Sequence, residues 1–161
     1  MPLFDASSII HAWDNYPPEL FPPLWDWLAQ EIVNGNFAIP SVALEEVGKK
    51  TPECAAWLND NDVTALPLTS EVLGESLRIK HLLGINEDQY HTKGVGENDI
   101  FIIATAKTHG LTLISEEGRQ FGKPNILAKY KIPAVCELQE VGVTCTNFLQ
   151  LIRSSGVVFK N

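Results

Sequence analysis

The chain has 161 residues and a mass of 17.8 kDa, which suits one domain over residues 1–161 whose core needs no disulfide or metal staple. Its 20 acidic and 12 basic side chains give a formal charge of −8 and a pI near 4.9. That balance excludes a nucleic-acid binder working through bulk positive charge, but leaves a local basic patch open. Apolar residues make up 45 %, which excludes a disordered chain.

Cys54, Cys136 and Cys145 lie far apart, without a CxxC pair or zinc spacing. Sparse cysteines suit a reducing compartment. The apolar run Ile100–Ala106 is too short to cross a bilayer. The first residues lack a basic stretch and include Asp5, so no secretory leader is expected. A soluble cytoplasmic protein without membrane association is the expectation.

Leu3-Phe4 reads as a short strand, and Asp5-Ala-Ser-Ser opens a helical stretch over Ile9–Trp13 that Pro17-Pro18 breaks. Proline in its first turn starts a helix after Phe21, with Leu24, Trp25, Leu28 and Ile32 at helical spacing and Gly35 as the stop. Phe37–Ile39 is a second strand. Helices are expected from Pro40-Ser41 to Val47 and from Thr51-Pro52 through Leu58. Val63–Leu66 is a third strand, and Thr69 opens a helix ending near Gly84.

Residues 85–96 form a polar loop before an apolar helix over Asp99–His109, closed by Gly110. Leu111–Ile114 is the clearest strand, followed by a basic loop from Gly118 to Lys131. Pro133 opens a helix to Gly142, Val143–Cys145 is a strand, Phe148–Arg153 a helix and Val157–Phe159 a terminal extension. Strands alternating with helices predict an α/β domain, three αβα layers around a mostly parallel sheet.

Open parallel sheets bind ligands outside the carboxyl ends of their strands. Asp5 follows the first strand, Ser115, Glu116 and Glu117 follow Leu111–Ile114, Asp99 opens the apolar helix just after Glu97, and Glu45 and Glu46 lie on the helix after the second strand. Gathered carboxylates need protons or a cation, and hard oxygen donors suit Mg²⁺ or Mn²⁺. Each acid also has an ordinary role: Asp5 as a helix cap, Asp99 as a partner of the helix dipole, and the glutamates as solvated surface.

In these stretches the chain resembles the PIN-domain family, the nuclease fold of VapC-type toxins. They are Phe4-Asp-Ala-Ser-Ser-Ile-Ile-His, Phe21-Pro-Pro-Leu-Trp-Asp-Trp-Leu, Glu46-Val with Ala56-Trp57, Gly96-Glu-Asn-Asp-Ile-Phe-Ile-Ile-Ala, His109-Gly-Leu-Thr-Leu-Ile-Ser-Glu-Glu and Ile132-Pro-Ala-Val-Cys. The closest subfamily carries Asp-x-Ser-Ser and Ile-Pro-x-Val-Cys motifs. The resemblance implies metal ligation by Asp5 and Asp99, support of Asp5 by Ser7, a catalytic helix glutamate at Glu46 with Glu45 as the alternative, and Ser115 at the family's Thr/Ser position. Where many PIN nucleases have Asp or Asn, this chain has Glu117. Glu97 or Glu117 completes the metal set, and the sequence leaves that choice open.

The function so implied is a Mg²⁺- or Mn²⁺-dependent endoribonuclease, the toxin of a VapBC-like toxin–antitoxin pair, acting on RNA. A cognate antitoxin would silence it, and a homodimer is expected. The alternative is a catalytically inactive PIN-like module that binds protein or RNA. Arg119, Lys123, Lys129 and Lys131, with no acid between residues 118 and 136, are candidates for the RNA backbone, with Phe121 or Tyr130 available for stacking. Trp13, Trp25, Trp27 and Trp57 are expected in packing. Gly94-Val-Gly96 is no dinucleotide fingerprint, and no P-loop or Gly-x-Ser-x-Gly elbow is present. A phosphohydrolase would need an acid where Ser7 stands.

Overall fold

The structure, a computed structural model, describes residues 1–160. In chain order its elements are β1 (Pro2–Phe4), α1 (Ala6–Asn15), α2 (Pro22–Val33), β2 (Ala38–Pro40), α3 (Ser41–Lys50), α4 (Pro52–Asp60), β3 (Thr64–Leu66), α5 (Ser70–Leu82), α6 (Glu97–His109), β4 (Thr112–Ile114), α7 (Ile132–Glu137), β5 (Cys145–Thr146) and α8 (Phe148–Ser155). The five strands form one parallel sheet in the order β3-β2-β1-β4-β5, flanked by helices in a three-layer α/β arrangement.

Chain order explains where a site can form. From β1 the chain winds outward through β2 to β3, then returns to place β4 on the other side of β1. Helices leaving β1 and β4 diverge, so a crevice opens at their carboxyl ends. The register pairs Phe4 with Ile114, which makes Asp5 and Ser115 neighbours just beyond the last rungs. The Asp5 amide donates to the Ile114 carbonyl at 3.0 Å.

Helix α6 is apolar nearly all round because it is buried nearly all round, through Ile100, Ile102, Ile103, Ala104, Thr105 and Ala106. Gly110, at φ +64°, ends it in the left-handed conformation. On α1 and α2, Ile9, Ala12, Leu24, Trp25, Leu28 and Ile32 are buried. All four tryptophans pack, as expected. Trp25 meets Trp13 edge-on at 5.3 Å and Trp57 at 4.9 Å, and Trp27 meets Phe37 at 5.6 Å. Edge-to-face pairs contribute about 0.5–1.5 kcal/mol each beyond area burial.

Three local expectations are corrected. Helix α7 stops at Glu137, not Gly142, because Leu138 leaves helical geometry and Gly142, at φ +61°, turns the chain. The last strand sits at Cys145–Thr146, because Val143 gives its amide to the Cys136 carbonyl instead of the sheet. The basic loop contains a 3₁₀ turn at Leu127–Lys129 that its composition does not signal. Among the described residues no helix is long and apolar enough to cross a membrane.

Candidate metal centre

Asp5 is 2 % exposed and directly follows the last β1–β4 pair. Its Oδ1 accepts the Ser8 amide at 2.8 Å, which caps α1, and the Ser7 hydroxyl lies 2.8 Å from both carboxylate oxygens. Ser7 Oγ also accepts the Glu116 amide at 3.1 Å, so one hydroxyl ties the end of β1 to the end of β4. Burial pushes the Asp5 carboxyl above its ordinary range, against hydrogen bonds from Ser115, Ser8 and Ser7.

Asp99 stands at the third position of α6. Its Oδ2 accepts the Gly96 amide at 2.9 Å, closing the helix N-terminus. Its carboxyl is also raised, first by burial and further by the Glu46 charge, while the Gly96 amide and Lys50 oppose. Glu46 lines a cleft of about 490 Å³ with Glu97 and Asp99, and pairs with Lys50 at 3.5 Å. It is half-buried because Ala43 and Val47 turn that side of α3 inward; Glu45 is exposed and makes none of these contacts. Glu97 is exposed on the outer rim of the same cleft.

The two acids after β4 diverge. Glu116 Oε1 accepts the Phe148 amide at 2.7 Å, capping α8, and its Oε2 lies 3.9 Å from His11. Glu117 Oε2 accepts the Ile132 amide at 3.0 Å, which places the acid at the N-terminus of α7, and its own amide donates to Ser115 Oγ at 3.2 Å. Its carboxyl is raised by burial and by the Asp99 and Asp5 charges, against the Ile132 amide and Lys131. Asp5, Asp99 and Glu117 thus belong to one electrostatic neighbourhood, which Glu46 joins through Asp99.

Asp5, Asp99 and Glu117 each sit at a helix N-terminus, where backbone amides partly offset the charge, whereas Glu46 lies midway along α3. Asp99 and Glu117 each commit one oxygen to an amide and leave the other without a protein partner among the described residues. An all-carboxylate donor set of this kind fits a hard dication such as Mg²⁺ or Mn²⁺. The set is not drawn together into a cage: among the described residues no three acidic, histidine or cysteine groups are placed to hold one ion.

The basic segment divides in two. Lys123 pairs with Glu137 at 2.7 Å and Arg119 with the same carboxylate at 3.6 Å, so the two share one acid just beyond the segment. Lys129 and Lys131 instead line a cleft of about 540 Å³ with Glu117 and Lys93. Phe121 is 93 % exposed, whereas Tyr130 packs against the core.

Residues 3–159 match the family model described as "Domain of unknown function (DUF4411)". The chain belongs to that family. No curated protein matches the sequence. Among solved structures it is similar to VapBC2 from Rickettsia felis bound to a DNA fragment from their promoter, at 18 % identity and a TM-score of 0.51, over 81 % of this chain and 96 % of that one. It is also similar to PAE2754 from Pyrobaculum aerophilum, at 15 % identity and 0.52, over 97 % and 90 %. For FitAcB from Neisseria gonorrhoeae the values are 18 % and 0.51, over 91 % and 97 %. The fold is therefore a three-layer, PIN-like one.

Sequence reasoning missed three participants in this region of the DUF4411 chain. Lys93, in the polar loop, joins the basic cleft. A Cβ on Gly94 would meet the Ala128 carbonyl oxygen at 1.9 Å, so only glycine lets this loop seat against the 3₁₀ turn. Glu137 claims the two cations of the basic segment. The one signal for the first two was a lysine beside a glycine just before an acidic helix start.

Proposed function

We propose that this chain is a metal-dependent endoribonuclease and the toxin of a VapBC-like toxin–antitoxin pair. What supports this reading is that Asp5 and Glu117 follow the ends of the adjacent strands β1 and β4, with Glu117 tied to Ser115 beside Asp5, and that Asp99, from a third segment, is near enough for its charge to act on Glu117. Burying like charges together is unfavourable on its own, and a dication removes that cost.

Asp5, Asp99 and Glu117 would hold Mg²⁺ or Mn²⁺, with Glu46 beside Asp99 and Glu97 at the rim. When bound, the ion supplies an activated water and neutralises charge on a phosphodiester being hydrolysed. The chain's own residues prepare that chemistry. Ser7 fixes the Asp5 carboxylate, and Ser115 steadies the backbone of Glu117. The amides of Gly96 and Ile132 orient Asp99 and Glu117. Glu46, next to Lys50, is positioned to accept a proton at the cleft mouth.

RNA as substrate, a cognate antitoxin, a homodimer, a cytoplasmic location and a single domain over residues 1–161 complete the proposal. VapBC2, one of the similar structures, is a complex bound to promoter DNA, and the antitoxin partner is proposed on that likeness. A second reading, a non-catalytic interaction module, is favoured by one observation: the acids do not form a closed cage among the described residues. Cleavage of a panel of structured and single-stranded RNAs, in Mn²⁺, Mg²⁺ or EDTA, decides between them. Metal-dependent cutting by the wild type that disappears in Asp99→Asn is the expected result. Absence of cutting with tight RNA or protein binding would establish the second reading.

A further inference from the structure

We propose that Lys93, Lys129 and Lys131 form a groove that holds the sugar–phosphate backbone of single-stranded RNA beside the bond being cut. The proposal deepens the nuclease reading and rests on it for the identity of the polyanion. It differs from the basic segment as the sequence presents it, because Arg119 and Lys123 drop out and Lys93, from another loop, enters.

Charge is the first argument. Among the described residues none of the three lysines forms an ion pair, whereas Arg119 and Lys123 both do. Three cations without an ion pair line one cleft whose single acid among the described residues is Glu117, so positive charge is left in excess there although the chain as a whole carries −8. A linear polyanion offsets that excess at each step along its length and releases counterions as it binds.

Construction is the second. The lysine backbones are clamped together. The Val95 amide donates to the Tyr130 carbonyl at 3.0 Å, and Gly94 lies directly against the Ala128 carbonyl. Gln120 donates its side-chain amide to the Lys129 carbonyl at 3.2 Å and accepts the Lys131 amide at 2.9 Å. Two chain segments, residues 92–95 and 127–131, are thus held side by side, and the long lysine stems rise from a fixed base. Less order is then lost when a phosphate binds.

Position is the third. Glu117 belongs both to the wall of this cleft and to the neighbourhood of Asp5 and Asp99. A strand whose flanking phosphates lie on the three lysines is delivered to the acids, which would repel it unaided. The cleft, about 540 Å³, has room for a backbone segment.

The test is fluorescence polarisation of a labelled short single-stranded RNA in EDTA, where cleavage cannot occur. The triple variant Lys93→Gln, Lys129→Gln, Lys131→Gln removes the charges and leaves shorter, neutral polar side chains; Arg119→Gln with Lys123→Gln is the control. The expected result is a Kd roughly tenfold weaker in the triple variant, a salt slope smaller by about 0.7 per lysine, and less than about a twofold change in the control. An unchanged slope in the triple variant, or an equal loss in the control, would overturn the groove. So would a glutamate peptide of matched charge that binds as tightly and with the same lysine dependence, since the groove would then be a protein-docking site. Metal-dependent cleavage is measured on the same preparations. Cutting lost in Asp99→Asn but untouched, in binding and rate, by the triple variant overturns the groove alone. Lysine-dependent RNA binding with no cutting under any metal supports the groove and overturns the nuclease reading.

Discussion

A glutamate stands at each end of α7, in opposite circumstances: Glu117, from the segment after β4, against its N-terminus and Glu137 as its last residue. At its N-terminus, Glu117 is part-buried, faces Asp5 and Asp99, and has its carboxyl pushed above the ordinary glutamate range. At its C-terminus, Glu137 is exposed, paired with Lys123 and Arg119, and has its carboxyl lowered by those cations. The dipole of the helix would by itself lower Glu117 and raise Glu137, the reverse of what is found, so helical context does not explain the difference. Company and burial do. A carboxylate paired with cations at the surface is easily ionised; one part-buried beside other acids is not.

The strongest break in that comparison is at the acid edge. Asp99→Asn keeps an oxygen for the Gly96 amide, so the helix start survives, and metal-dependent RNA cleavage is expected to fall by roughly a hundredfold or more in initial rate. Glu117→Gln should cost about tenfold or more, while Glu137→Gln leaves the rate within about twofold. Equal losses at the two glutamates would show that the contrast carries no function.

Metal binding is the next discriminator. Titrating Mn²⁺ into the wild type should raise its thermal midpoint with saturation, as any ligand of the native state does. Asp99→Asn should show little rise and Glu137→Gln a full one.

The pH dependence of stability has opposite sign at the two ends. Asp5, Asp99 and Glu117 have folded-state pKa values above their ordinary ones, so the native state binds more protons than the unfolded chain between those values. Their contribution to stability is therefore greatest in mild acid and falls as pH rises through the raised values. Glu137 contributes stability above its ordinary pKa that is lost as pH falls through its lowered one. Urea midpoints in EDTA should decline from mild acid toward neutrality, and the decline should flatten in the Asp99→Asn, Glu117→Gln double variant. A steeper decline in that variant would contradict the assignment.

The smallest effect is expected at the paired end. Glu137→Gln should alter unfolding free energy by about 1 kcal/mol or less, since exposed ion pairs contribute little. It frees Arg119 and Lys123, so RNA affinity at low salt should rise slightly instead of falling.

Much of this was legible before any coordinates. Asp5 after a strand and Asp99 before an apolar helix stand out because strand ends and helix starts are local signals, set by burial periodicity and caps. The choice between Glu45 and Glu46 was open to a weaker form of the same logic: Val47 is core, but only the packing of α3 shows Glu46 turned toward Asp99 while Glu45 faces solvent. Local pattern does not separate Glu116 from Glu117; only the family resemblance points to Glu117. Both follow β4 and both cap helices, yet α8 claims one and α7 the other, from 32 and 15 residues downstream.

The sequence alone determined the alternation of elements, the parallel sheet it implies and the chain segments that bring acids to its carboxyl edge. Those follow from side-chain period and from short-range hydrogen bonding, which act over a few residues. Tertiary structure alone decided which charges meet. It set Glu117 against Asp99 and Asp5, joined Lys93 to Lys129 and Lys131, and spent Arg119 and Lys123 on Glu137. Coulomb energy depends on distance and burial, and neither is written in the spacing of residues along the chain.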